Sequence, residues 1–355
     1  MQRREFVGAI GAGVAATGAT VAMTSVDGVS ALASNPGRDP PGALFEAGTA
    51  VRSIDPADPS LATHVGGFGT CEGCPTTRVR EGDQLSARSF VVVDEDRTAA
   101  AAVAVVDVQG WFAGYKQGSY GITDLRREVA ATLSKPREAG GIGVETSPGD
   151  VLVQATHGHA TPSIVGIWGE TNEEYLDYVY EQTRDAIVEA ARTTEPALLE
   201  TATAGVKFVN NVVLGQPNSN EGWLKDGQLP IVRARKGGYG TGETGVGETL
   251  GIYTQVPIRE NIAYGPGLSE MTTGYFGAAA RWLEAELGGT AVVGPSTLGD
   301  QVSPMQGDPG RLPDADESWT LTVEIEDAHH VTASAAAPTT TCATAEERTL
   351  PSITP

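Results

Sequence analysis

The chain has 355 residues, with 24 Lys and Arg against 45 Asp and Glu and a formal net charge of −21. That length holds one large or two modest domains with a substantial core, and the charge excludes a nucleic-acid partner, because no basic stripe exists to neutralise phosphates. The three cysteines are Cys71 and Cys74, separated by two residues in one loop, and a lone Cys342, so a four-thiolate zinc site is excluded as well.

At the N-terminus Arg3 and Arg4 precede an uncharged run from Gly8 to Met23. This pattern reads as a twin-arginine signal peptide over 1–33, with small residues at Ala31 and Ala33 placing cleavage before Ser34. A chance Arg–Arg pair on an uncleaved helix is the competing reading. The run is too weakly hydrophobic and too rich in glycine for a membrane anchor, so no transmembrane anchor is expected in the mature chain. Export by the twin-arginine route, which carries folded proteins, leads to an extracellular or cell-surface location and leaves room for metal loading before export. There a local Cys71–Cys74 disulfide pinning a loop is favoured over a redox role.

The leader takes away Arg3, Arg4, Glu5 and Asp27, so the net charge of −21 persists in the mature part. Lysine is confined to Lys116, Lys135, Lys207, Lys225 and Lys236. Such an acidic, lysine-poor surface suits concentrated salt, as in a halophilic source, and fits an ordinary acidic surface equally well.

After a linker at 34–44, the first apolar runs are Ser89–Asp94 (SFVVVD) and Ala100–Asp107 (AAAVAVVD), two buried strands either side of a polar turn. Thr123 and Asp124 cap a helix that runs to Ser134 and stops before Pro136. A strand at Asp150–Ala155 follows, then a helix over Asn172–Arg192 with acidic residues at its start. Strand-like segments near 198–209, 229–235 and 249–256, a helix over Glu270–Leu287 and a strand at Thr290–Val293 complete the alternation. The predicted fold class is α/β, a mixed β-sheet sandwich with flanking helices, occupying 45–331. Residues 332–355 form a low-complexity tail. Gly237–Gly247 is glycine-rich but lacks the Gly-Lys-Ser/Thr ending of a phosphate loop, so it reads as a loop or hairpin tip.

Two of the five histidines, His157 and His159, stand just past the strand ending at Ala155. Residues i and i+2 of extended backbone point to one side, so both imidazoles can converge on one ligand at a strand end, where α/β proteins place their sites. Neutral imidazole is a common zinc ligand, and zinc-bound water loses a proton near neutral pH. A histidine pair bonded to backbone in a turn is the plain alternative. Asp107 at a strand end and Asp300 in a later loop are the acids nearest this point, suited to orienting a histidine or ligating metal. His64 has a similar standing within a glycine-rich segment.

Several blocks occur in order: Ala47–Pro56 (AGTAVRSIDP), His64–Gly69 (HVGGFG), Leu85–Val93 (LSARSFVVV), Val106–Asp107, Ala155–Pro162 (ATHGHATP), Thr273–Phe276 (TGYF) and Leu298–Pro304 (LGDQVSP). Together they resemble the N-terminal catalytic domain of neutral, non-lysosomal ceramidases, over roughly 45–305. The resemblance implies a zinc-dependent amidohydrolase acting on a lipid-like substrate, with His157 as zinc ligand and His159 as a substrate or transition-state contact. Ser303, and Asp300 beside it, match the serine loop implicated in attack or substrate binding.

The chain also departs from that pattern. Val256 stands where the family has a second zinc histidine, and Lys207–Asn211 (KFVNN) replaces its Asn-Arg-Ser block. The family's glutamate and tyrosine ligands lie beyond the serine loop, where this chain runs through Trp319–Glu326 and His329–His330 to Pro355. Two functions stand open. One is an exported hydrolase cleaving an amide or ester of a lipid-like or other small-molecule substrate by zinc-assisted attack. The other is a non-catalytic exported module of the same fold, a pseudoenzyme or a chain cut short in its coding region.

Overall fold

The structure is a computed structural model. It describes residues 45–66, 75–167, 169–206, 228–237, 247–257 and 270–296, with short strands at 322–325, 331–332, 334–336 and 352–354. The leader, the 34–44 linker, all three cysteines, most of the glycine-rich loop, Lys207–Asn211, Asp300, Ser303 and His329–His330 lie outside the described residues.

Eight strands form one continuous mixed sheet in the order β4-β3-β2-β1-β5-β6-β7-β8. They are β1 (Phe45–Ser53), β2 (Ser86–Asp94), β3 (Ala100–Val106), β4 (Val151–Ala155), β5 (Glu195–Val206), β6 (Gln228–Lys236), β7 (Thr249–Val256) and β8 (Thr290–Pro295). Neighbours are antiparallel except β3 with β4 and β7 with β8, which are parallel. Of the short strands, β9 (Thr322–Ile325) pairs with β5 and with β10 (Val331–Thr332). β11 (Ser334–Ala336) and β12 (Ser352–Thr354) pair with each other inside the segment that composition marks as a tail.

β1 escapes the sequence pattern because its residues, FEAGTAVRS, are of mixed composition with neither an apolar run nor a regular alternation. Its place is central: it pairs with β2 along its whole length and with β5 only at Phe45–Ala47. The sheet therefore turns a corner between β1 and β5, and its two halves fold face to face.

The crossing angle follows from which side chains meet. A Cβ on Gly251 of β7 would stand 2.4 Å from Thr49 of β1 and 2.9 Å from the Phe90 ring of β2. Four residues on, Gln255 lies 3.5 Å from Gln154 of β4. Two to three strand spacings, about 12 Å, are thus traversed in four strand residues, about 13 Å, so β7 runs nearly perpendicular to β1–β4. β8 does the same, from Ala291, whose carbonyl accepts from Arg88 of β2, to Gly294 against Val105 of β3 and Gln154 of β4.

Three helices close the outer faces: α1 (Ile122–Leu133), α2 (Glu173–Arg192) and α3 (Gly274–Leu287). α2 starts at Asn172, whose Oδ1 accepts from the amides of Glu174 and Tyr175 at 3.0 and 3.2 Å. Its buried stripe of Tyr175, Leu176, Val179, Thr183, Ile187 and Ala190 recurs at helical spacing and packs on β1 and β2. Each fully buried aliphatic or aromatic side chain there contributes about 1.5–3 kcal/mol. Gly48 lets the backbones close in, since a Cβ there would fall 2.1 Å from the carbonyl of Ala190.

The cap of α1 is Gly121, two to three residues earlier than the sequence suggests, with Thr123 and Asp124 inside the first turn. α3 begins at Gly274 and not at Glu270, because Met271 and Thr272 are spent on bonds to the loops: Met271 to Arg78 and Arg80, Thr272 to the carbonyl of Ala160. The layers are α1 and α2, then β4-β3-β2-β1, then β6-β7-β8, then α3, with one apolar cluster at each of the three junctions. The α/β class and the sandwich with flanking helices stand as the sequence predicts. Among the described residues, no helix is long and apolar enough to cross a membrane.

Candidate functional site

Because β7 and β8 cross β1–β4, their C-terminal ends emerge beside the end of β4. The side-chain amide of Gln154 donates to the carbonyl of Pro295, and Pro295 pairs with Val256. The chain after β4 therefore opens into a mouth bounded by the ends of β3, β4, β7 and β8. Asp300 and Ser303 follow Ser296 in sequence and lie outside the described residues.

His157 occupies this mouth in a left-handed conformation, φ 56°. The expectation of extended backbone fails at this residue, yet the two imidazoles do meet: the His157 and His159 rings lie 5.1 Å apart, edge to face at 90°. Positive φ is uncommon outside glycine, with histidine among the more tolerant residues. It lets the ring swing toward β3, where its Nδ1 lies 2.7 Å from the carbonyl oxygen of Gln109. A carbonyl only accepts, so Nδ1 carries the proton and, in the neutral ring, Nε2 carries the lone pair. His159 is buried, 1% exposed.

Gln109 was not singled out by the sequence. Its only signal there is a place two residues past Asp107, and what matters is its main chain, which no residue type advertises. Its amide also donates to the carbonyl of Pro162 at 2.9 Å, tying the end of β3 to the loop after His159.

Asp107 sits at the end of β3, 5% exposed. Its Oδ2 accepts from the backbone amide and the hydroxyl of Ser86 at 2.9 and 3.0 Å. Burial pushes its carboxyl up to about 6, opposed by the Ser86 amide and the nearby Arg88 guanidinium.

The glycine-rich segment around His64 belongs to the same mouth. Val65 bridges to Pro162, and the carbonyl of His64 accepts from Ser163 at 2.7 Å. Around the histidines the buried atoms His64 Nδ1, Gln109 Oε1, Thr156 Oγ1 and Ser163 Oγ have no hydrogen-bond partner among the described residues. Protein interiors rarely leave such atoms unpaired, so this stretch stands out as a polar corner of the fold.

Zinc fits one of these residues. A metal-binding histidine normally donates its other ring N–H to a carbonyl or carboxylate, which is the arrangement of His157 and Gln109. Among the described residues no group of three or more His, Cys, Asp and Glu side chains is gathered that could hold a metal ion. The Val256 side chain packs with Ile252 and Phe276 against α3.

The fold and site thus define a four-layer α/β sandwich with a histidine-bearing, polar strand-end mouth. That fold is ceramidase-like. The crystal structure of neutral ceramidase from Pseudomonas aeruginosa matches at TM-score 0.56 and 16% identity, over 78% of this chain and 42% of that one. A ceramidase complexed with C2 matches at TM-score 0.54 and 16% identity, over 74% of this chain and 40% of that one. The chain spans about two fifths of the length of these proteins. No family profile and no curated protein matches the sequence.

Proposed function

We propose that the chain is a ceramidase-like hydrolase that cleaves an amide or ester bond in a lipid-like substrate by metal-assisted attack. The observation that carries this reading is the Nδ1–H of His157 bonded to the Gln109 carbonyl at the mouth of the sandwich, the arrangement usual for a metal-binding histidine. Zinc held there would polarise the scissile carbonyl or lower the pKa of a bound water. His157 would hold the metal, with Asp107 behind it at the end of β3 as an orienting or ligating acid. His159 lies edge-on to His157 and would contact the substrate and assist proton transfer. Asp300 and Ser303, by their place in the sequence after Ser296, would supply the hydroxyl and acid of the serine loop.

On this reading the twin-arginine leader sends the folded protein out of the cytoplasm, and the acidic surface suits work in concentrated salt. A non-catalytic binding module is favoured instead by Val256, an apolar packing residue at the position of the family's second zinc histidine. Metal analysis decides between them. The hydrolase should hold about one equivalent of zinc after refilling in high salt and release product from acyl amides or esters. Less than about a tenth of an equivalent would leave the binding module.

A further inference from the structure

The histidine loop is gripped from two sides. On one side β3 and the residues just after it take the amides of Thr156 and His157 on the carbonyls of Val106 and Val108, at 2.9 and 3.2 Å, and hold the His157 ring at Gln109. On the other side the carbonyl of Ala160, the residue after His159, accepts from the amide of Thr272 at 2.9 Å. Thr272 belongs to the turn that enters α3, so this bond is where the second half of the sandwich reaches the loop. The spacing of the two rings, 5.1 Å and edge to face, therefore depends on where Thr272 stands.

What holds Thr272 is a cradle made by residues 78–83. The amide of Met271 donates to the carbonyl of Arg78, and the Met271 carbonyl accepts from the amide of Arg80, both at 2.8 Å. Main-chain bonds thus pin the segment up to Met271, and one side chain takes over beyond it. The Asp83 carboxylate accepts from the hydroxyl of Thr272 through Oδ2 and from that of Thr273 through Oδ1, the latter at 3.2 Å. Thr272 Oγ1 in turn accepts from the amide of Gly274 at 3.1 Å, so its one proton is committed to Asp83. Arg281 approaches Oδ1 at 2.9 Å, but its side chain is half-exposed and the ion pair is screened, so it contributes little. Thr272 and Thr273 are 5% and 1% exposed, and breaking their bonds to Asp83 strands two hydroxyls inside the fold.

We propose that Asp83 is a positioning residue for the histidine pair: through the Thr272 hydroxyl it fixes the Thr272 amide opposite the Ala160 carbonyl, and so sets the place of His159 against His157. A carboxylate suits this task because it only accepts and offers two oxygens, one for each hydroxyl. The consequence for turnover rests on the hydrolase reading; the geometry of the two rings does not. Reacting groups misplaced by about 1 Å lose on the order of a hundredfold in rate, so a support of this kind acts on the chemical step while touching neither substrate nor metal.

The test is NMR of the histidine rings in the full-length protein with chelator present, each signal assigned by replacing one histidine at a time. Each of the two rings lies in the other's ring current, so their proton shifts report the geometry of the pair. Thr272→Val keeps the shape of the side chain and removes the hydroxyl. In Asp83→Asn the oxygen is drawn to Arg281 and Thr273, which leaves the Thr272 proton without an acceptor. Both variants should shift the His157 and His159 signals, and Thr272→Ser, which retains the hydroxyl, should leave them at their native positions. Gly48→Ala, strained where β1 meets α2, is the control for lost stability alone and should also leave them in place. Thermal unfolding checks that each variant folds. Native shifts in either folded variant, shifts in Thr272→Ser as large as in Thr272→Val, or equal shifts in Gly48→Ala overturn the proposal. On acyl amides or esters kcat should fall about tenfold in Thr272→Val with KM little changed, and an unchanged kcat in a protein that does hydrolyse overturns it as well. Absence of hydrolysis in the unmodified protein counts against the hydrolase reading alone, since the ring shifts are read without turnover.

Discussion

The side-chain amide of Gln154, near the end of β4, donates to the main-chain carbonyl of Pro295, at the end of β8. One residue thereby ties together two strands that are 141 positions apart in sequence and lie at opposite edges of the eight-strand order. The bond is possible because Gly294 has no side chain, where a Cβ would fall 2.6 Å from Gln154 Oε1. It fixes where the mouth of the site opens. Gln154→Leu should cost about 1–3 kcal/mol, the usual penalty for leaving a buried carbonyl unpaired. Hydrogen exchange should speed up first at the Ser296 amide, which donates to Val256. Unchanged exchange there would mean that the strand ends are held by other contacts.

Asp107 makes stability depend on pH in the direction opposite to a salt-bridged carboxylate. Its carboxyl titrates near 3.8 in ordinary surroundings and at about 6 in the fold, with burial as the main cause. Between those values the native state binds the proton and the unfolded chain does not. Stability from this group therefore falls as pH rises from about 4 to 6, by about 3 kcal/mol, and stays lower above that. Urea unfolding across this range, compared between the native chain and Asp107→Asn, should show this loss in the native chain alone. Parallel curves for the two proteins would contradict it.

His157 is held by its backbone as well as its ring. Asn tolerates a positive φ at least as readily, so His157→Asn should retain the turn and cost under about 1 kcal/mol in unfolding. Bound zinc should drop to background, and any amide or ester hydrolysis should fall by at least about a hundredfold. A variant that keeps both its zinc and its activity would remove His157 from the site.

Two glycines set how closely the layers approach. Gly48→Ala would put a Cβ 2.1 Å from the Ala190 carbonyl of α2, and Gly251→Val would press on Thr49 and Phe90. Each should cost about 1–3 kcal/mol of stability through overpacking. The Gly48 variant should suffer more, because its neighbour is backbone and cannot rotate aside. Thermal unfolding of the two variants orders them.

Much of the fold was legible in the chain because the signals are local. β3 is an unbroken apolar run buried along its whole length, α2 has a capping Asn172 and a stripe at helical spacing, and both were placed within a few residues. β1 was not, since a half-buried strand of mixed composition, FEAGTAVRS, carries no periodic signal strong enough to separate it from loop. Likewise the start of α3 was placed early, because nothing in the sequence says that Met271 and Thr272 are claimed by Arg78, Arg80 and Ala160.

The candidate site divides in the same way. The sequence by itself determined that two imidazoles follow a buried strand, that Asp107 ends an earlier apolar strand and that His64 sits among glycines. These are facts of residue type and spacing. Only the tertiary structure decided that β7 and β8 cross β1–β4 almost at right angles, bringing their ends to β4, and that a left-handed turn points the His157 ring at the Gln109 carbonyl. It alone decided that His64 and Ser163 face each other across a two-strand ribbon. Pairing between distant segments depends on the burial and register of the whole sheet, and main-chain partners are the same for every residue type, so neither is written in any short stretch of sequence.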